Sequence, residues 1–247
     1  MSRYAPGSRP PGIEDGAEAA RWIRRMFASV ARRYDLLNHL LSFNFDRRWR
    51  SHAAQRLRPR LARAEAKVVD LCCGTGDLTA ELSRRGRALV TGCDFCLPML
   101  VEARRKLAAA RLPAQLVEAD ALAMPFASGS LDLVTIAFGL RNLADYQAGL
   151  REIVRVLKPG GLAAVLEFSR PRARWLAATY GFYSRHVIPA IGAIVSGNRE
   201  AYAYLPDSVR RFPGPEELAA AMRQAGFSEV SYELLTGGIV ALHLGRR

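Results

Sequence analysis

"VVDLCCGTGDLTAEL", residues 68–82, decides the fold. A short apolar run ends in an aspartate, two cysteines and two glycines one residue apart, and an amphipathic helical pattern follows at once. Glycines between a strand and a helix let the backbone approach a ligand closely, and the first helical turn offers unpaired N–H groups. The stretch therefore reads as the first βα turn of a parallel sheet, with a nucleotide or nucleoside held at its mouth. It is not a Walker loop, because no Gly-Lys-Ser/Thr follows. It is a poor dinucleotide fingerprint, because the third glycine would fall at Thr79. Asp77 also puts a carboxylate where a pyrophosphate would sit, and that charge repels a phosphate and suits an ammonium.

Moving outward, the alternation continues. "RALVTGCD" is a strand, "CLPMLVEARRKLAAA" a helix and "AQLVEAD" a strand. "SLDLVTIAF" is apolar throughout, as the middle of a parallel sheet requires. "DYQAGLREIVRVLK" is an amphipathic helix stopped by Pro159-Gly160-Gly161, and "LAAVLEFS" is the next strand. Such βαβαβ repetition defines a doubly wound α/β sheet. The chain then closes with a helix, "GPEELAAAMRQAGF", and two strands joined by a Thr-Gly-Gly turn. An antiparallel hairpin ending a parallel sheet separates the chain from most dehydrogenases and suits a seven-stranded methyltransferase sheet. Ahead of the sheet, residues 17–33 and 35–57 read as two helices. Residues 1–15 are expected to be disordered. Residues 16–247 are expected to form one domain, with 16–60 as a helical lid and the tyrosine-rich 170–207 as a substrate-side insertion.

Composition narrows the partners. The 247 residues hold 36 Lys+Arg against 23 Asp+Glu, and only Lys67, Lys106 and Lys158 are lysine. From Arg21 to Arg63 twelve arginines face only Asp35 and Asp46. A solvated helical face is the plainer reading; contact with an anionic membrane surface comes next, and nucleic acid last, since no RNA-recognition motif is present. No run approaches the roughly 18 apolar residues of a membrane span. The first twenty residues have no apolar signal core, so a cytoplasmic protein is expected. Cys93 and Cys96 form a C-x-x-C, but no second pair accompanies it and the four histidines are scattered. All four cysteines, Cys72 and Cys73 included, are therefore read as packing residues rather than a metal or redox site.

Carboxylates at strand ends point to the ligand. Asp70 closes the first strand. Asp94 closes the second, where it can accept hydrogen bonds from a ribose diol. Asp120 closes the third, where it can take an adenine amino hydrogen. With Gly74 and Gly76, this acidic set prefers an adenosine bearing a positive, phosphate-free tail, and S-adenosylmethionine is such a ligand.

Further blocks carry a resemblance: "YDLLNHLLSFNFDRRW" (34–49), "DLCCGTGDLT", "AFGLRNLAD" (137–145), "RVLKPGGLAAVLEFS" (155–169), "YSRHVIPAIGAIV" and "AYAYLPDSVRRFP". In these the chain resembles the ubiquinone/menaquinone biosynthesis C-methyltransferase family, from about Met26 onward. The resemblance implies a class I S-adenosylmethionine-dependent, Rossmann-like fold, with cofactor contacts at Thr75, Asp94, Asp120, Ala121 and Ala137. The family often has serine at 137, so a side-chain hydrogen bond is lost here. It also usually has glycine at Asn44, a residue that tolerates left-handed backbone. The implied chemistry is C-methylation of a prenylated quinol. "DLCCGTGDL" and "GCDFC" look closer to the menaquinone type, so demethylmenaquinol is favoured. The ubiquinone-pathway benzoquinol, or a different small-molecule or RNA methyltransferase, is the alternative. Arg141 is expected to act as electrostatic partner of a quinol oxygen and Asn142 as an orienting hydrogen-bonding group. Tyr34, Tyr180, Tyr202 and Tyr204 are candidates to line the ring pocket. A prenyl tail implies a peripheral position on the inner face of the membrane. The arginine-rich helices and the apolar residues 187–195 are the candidate face, and a homodimer is left open.

Overall fold

The computed structural model describes residues 13, 15–171, 173–183 and 199–247. Three helices come first: α1 (Gly16–Val30), then, after a 3-10 turn, α2 (Tyr34–Leu41), and α3 (Phe45–Leu61). The alternating unit follows as β1 (Val68–Leu71), α4 (Asp77–Arg85), β2 (Val90–Asp94), α5 (Leu97–Ala109), β3 (Ala114–Glu118), β4 (Leu131–Ala137), α6 (Tyr146–Val156) and β5 (Leu157–Phe168). The chain ends with α7 (Arg174–Phe182), α8 (Arg199–Arg211), α9 (Pro215–Ala225), β6 (Ser228–Leu235) and β7 (Val240–Arg246). The seven strands lie in the order β3-β2-β1-β4-β5-β7-β6. The first five are parallel; β7 runs antiparallel to β5, and β6 antiparallel to β7. This is the expected seven-stranded, mostly parallel sheet with its C-terminal antiparallel hairpin.

One helical expectation needs correcting. Residues 35–57 form not one helix but two, broken at Ser42–Asn44, where Phe43 (φ 51°) and Asn44 (φ 59°) are left-handed. Asn44 does adopt the backbone expected of a glycine replacement. The break lets α3 leave α2 and pack under the sheet, where Ala54, Leu57 and Leu61 meet Val68, Leu82 and Leu133. On the opposite face, α6 and α9 bury Leu150, Ile153, Leu218 and Met222 against β1, β4 and β5. The strands in the middle are apolar on both sides because both sides are covered.

The winding reverses between β1 and β4, so a crevice opens beyond their carboxyl ends. The two loops there are in contact. A Cβ on Gly139 would stand 2.4 Å from the Cβ of Cys72, so only glycine lets the loops close. Gly76 caps α4 with φ 81°, and a Cβ there would press on Ala103 of α5 at 3.2 Å.

Beneath this crevice Asp70 is 1 % exposed and accepts hydrogen bonds from Thr79 Oγ1 (2.6 Å) and Thr135 Oγ1 (2.8 Å). It thus ties β1 to α4 and to β4. Burial pushes its carboxyl up to about 6, against the pull of the two hydroxyls. An acid whose folded pKa is raised stabilises the fold least when ionised, so this contribution declines as pH rises from about 4 to about 6. We expect urea unfolding of the wild type relative to Asp70→Asn to show a relative loss, on the order of 3 kcal/mol, across that window. A difference independent of pH would refute the assignment.

Candidate active site

Two cavities adjoin at the carboxyl ends of the strands. The first is lined by Gly74, Asp94, Asp120, Ala121, Ala137 and Asn142, with Phe27 and Tyr34 of the N-terminal helices closing it. Seven of the residues singled out from the sequence, Tyr34 included, thus converge. The second, about 370 Å³, lies under α2, α3 and α7, and is lined by Trp49, Arg50, Phe138, Arg141, Phe168 and Tyr180 among others. Tyr34 and Phe138 belong to both.

The first cavity suits an adenosine. Asp94, at the end of β2, accepts from the backbone N–H of Gly74 (2.8 Å) on one oxygen and of Cys96 (2.9 Å) on the other. Each oxygen keeps a lone pair for a diol. Burial pushes the Asp94 carboxyl up, the backbone donors opposing it. Asp120 lies two residues beyond the end of β3; its Oδ1 accepts from Leu122 N (2.9 Å), and its Oδ2 has no partner among the described residues. Phe95, Met99 and Leu122 supply apolar flanks for a base. The cavity measures only about 80 Å³, against the roughly 300–1,000 Å³ of ordinary small-molecule sites.

Three sequence candidates do not line it. Asp70 faces inward to its two threonines. Thr75 is 2 % exposed; its hydroxyl donates to Asp35 of α2 and accepts from Lys106 Nζ at 3.2 Å. Gly76 does not line the cavity; its missing Cβ lets α4 approach Ala103 of α5. Asp77 finds its ammonium within the chain, pairing with Lys106, which also reaches Asp35 at 2.6 Å. Burial pushes the Asp77 carboxyl up, but Arg50 and Lys106 outweigh it and hold it below the usual range.

The second cavity is built on the turn after β4. Arg141 is 5 % exposed and donates through Nη1 to Glu167 Oε1 (2.8 Å) and to the Phe138 carbonyl, and through Nε to Ser208 Oγ (3.3 Å). Its Nη2 carries no hydrogen bond among the described residues, and its guanidinium lies 5.3 Å from the centre of the Phe168 ring. Asn142 donates to the Phe138 carbonyl (3.3 Å) and accepts from the Tyr204 hydroxyl (3.2 Å). Tyr180 lines the second cavity, and burial pushes its phenol up to about 12. Tyr204 is instead buried against Trp22, 5.4 Å between ring centres. The side chain of Tyr202 and the apolar residues 187–195 lie outside the described residues.

Sequence reasoning missed the aromatic box of Trp49, Phe138 and Phe168 and the acid that positions Arg141. Glu167 is the penultimate residue of β5, and only its place near a strand end could have marked it. Asp46 and Arg50, four residues apart on α3, form a helical ion pair. Burial pushes Asp46 up, but Arg50, Ser42 and His39 hold it below the usual carboxylate range. The cysteines are free; Cys73, Cys93 and Cys96 are buried, and burial pushes the Cys93 thiol up to about 12, as befits packing.

Fold and site together define a class I S-adenosylmethionine-dependent methyltransferase. A structure of such an enzyme from Aquifex aeolicus superposes with a TM-score of 0.57 at 16% identity, over 78% of this chain and 88% of that one; this likeness concerns the fold alone. A profile of the ubiE/COQ5 methyltransferase family matches residues 15–247, and the chain belongs to that family. It is 51% identical to the demethylmenaquinone methyltransferase of Thermus thermophilus, over 90% of this chain and all of that one. It is 42% identical to the ubiquinone/menaquinone biosynthesis C-methyltransferase UbiE of Stenotrophomonas maltophilia, over 99% and 98% of the two chains.

Removing Glu167 would leave the buried Arg141 charge uncompensated. Glu167→Ala is expected to lower stability by about 3–5 kcal/mol in chemical denaturation. A loss below 1 kcal/mol would show that Arg141 is solvated rather than paired.

Proposed function

We infer that the chain transfers a methyl group from S-adenosylmethionine to a ring carbon of a prenylated quinol, demethylmenaquinol, to give menaquinol. The observation that carries this reading is the shared wall: one turn after β4 sends Asn142 to the adenosine cavity and Arg141 to the aromatic one. Bound S-adenosylmethionine supplies an electrophilic methyl group. Asp94 would hold the ribose and Asp120 the adenine amino group. Trp49, Phe138 and Phe168 flank a flat ring. Nη2 of Arg141, which has no hydrogen bond among the described residues, would donate to a quinol oxygen and favour its phenolate, which makes the ring carbon the nucleophile. Glu167 and the Phe138 carbonyl fix the guanidinium in that direction, so it stabilises charge without reorganising. The reaction releases one net proton, and the ring carbon is its source. Much of the rate would come from aligning the ring carbon with the methyl group where the two cavities adjoin.

The N-terminal helices act as a lid. α2 is latched to the glycine loop by Asp35 through Thr75 and Lys106, and α1 to β3 by Arg24 through Glu118. The narrow first cavity supports a lid that must withdraw to admit adenosine. No helix among the described residues is long and apolar enough to cross a membrane. A prenylated quinol resides in the bilayer, and we place the protein at its surface, peripheral on the cytoplasmic side.

Labelled methyl transfer should proceed to reduced demethylmenaquinol and not to its oxidised form. Preference for the demethylated benzoquinol would move the chain to the ubiquinone pathway, and transfer to neither would overturn the reading. Arg141→Ala should lower kcat about 100-fold or more while cofactor affinity is kept; Arg141→Lys, which keeps a charge in the core, should fall between. Amides 16–41 should exchange more slowly with S-adenosylmethionine bound, and unchanged exchange would rule out the lid.

A further inference from the structure

The larger cavity opens between two lips whose outer faces carry apolar side chains that the core does not use. On the first, α2 and its following turn, Leu36, Leu40 and Phe43 recur at helical spacing and are 62, 47 and 70 % exposed. On the second, α7, Trp175 and Phe182 are 71 and 64 % exposed. Each lip sends another face inward, Asn38 and Leu41 from α2, Leu176 and Tyr180 from α7. The lips meet at the mouth. The Phe43 ring is 5.6 Å from that of Tyr183, and the Tyr183 hydroxyl donates to the Leu41 carbonyl at 3.0 Å. Single exposed hydrophobics need no explanation, but five on adjoining lips of one opening do.

Charge adds a second observation. Arg24, Arg50, Arg56 and Arg63 are held by acids of the chain. Exposed Arg47 and Arg48 have no carboxylate partner among the described residues, and Arg48 lies 5.4 Å from the centre of the Phe45 ring at the cavity edge. Protruding aliphatic and aromatic groups, a tryptophan among them, beside unpaired arginines match the boundary between acyl chains and anionic headgroups.

We propose that this rim docks on an anionic lipid bilayer, and that the quinol ring enters the cavity between α2 and α7 while its prenyl chain stays in the lipid. Leu36, Leu40, Phe43, Trp175 and Phe182 enter the acyl boundary, and Arg47 and Arg48 meet headgroup phosphates. The proposal rests on the quinol reading above, and it moves the contact from the whole basic segment to one rim.

Co-sedimentation with vesicles tests it, using phosphatidylcholine alone and an equal mixture with phosphatidylglycerol. The full chain should bind the mixed vesicles at least tenfold more tightly, with affinity falling as salt is added. Leu40→Ser with Trp175→Ser, and separately Arg47→Glu with Arg48→Glu, should each weaken binding at least tenfold. Both should methylate a quinol bearing one isoprene unit, in solution, at the wild-type rate, which also shows that they fold. Wild-type protein that binds neither vesicle, or variants that bind as the wild type does, would overturn the proposal. So would a lipid-free wild-type dimer that the Leu40/Trp175 variant converts to monomer, which would make the rim a contact between copies. Rim-dependent binding by a protein that methylates no quinol would overturn the substrate reading alone.

Discussion

Everything at the mouth of the sheet hangs from one buried carboxylate. Asp70 receives a hydroxyl from α4 and another from β4, and so fixes the two loops that carry the site. A carboxylate without water needs such donors, and here they come from the elements that must be held together. From β1 the chain reaches Gly74 and the N–H that orients Asp94; from β4 it reaches Phe138, Arg141 and Asn142. The price of the arrangement is a carboxyl that resists ionisation, tolerated because it sets the crevice.

The basic N-terminal segment divides into two uses. Arg24, Arg50, Arg56, Arg60 and Arg63 are engaged by partners within the chain, Glu118, Asp46, Glu233, the Gly160 carbonyl and Glu65. A count of charges cannot distinguish these from the arginines left outward. The acids involved lie up to 177 residues away from their partners, as for Arg56 and Glu233. Net charge thus overstates the field available to a polyanion, and position decides it.

The sheet was legible because its inner strands are apolar on both faces and separated by helical periods. The hairpin was legible from Thr-Gly-Gly. Asp94, Asp120 and the turn 139–142 were legible because strand ends are where an open sheet binds. Which way a side chain turns at a strand end was not. Asp70, in β1, and Thr75, in the loop after it, face the core and α2. The break after Leu41 had one local signal, Asn44, which apolar residues at helical spacing up to Leu41 outweighed in the helix reading. The Arg141–Glu167 pair spans 26 residues and needs the β4–β5 pairing to exist before it can be seen.

The contact between Cys72 and Gly139 also constrains how this chain can change over generations. Position 72 is left-handed (φ 52°) and its Cβ fills the space that a side chain at 139 would need. Gly139 has an ordinary backbone (φ −109°), so steric room and not conformation restricts it. A lineage that replaces Cys72 with glycine removes that collision, and alanine at 139 then needs only a small shift of Ile136, whose Cγ1 would stand 3.3 Å from the new Cβ; the reverse order passes through the collision. The two sites are epistatic, and only one of the two mutational routes between these pairs is open.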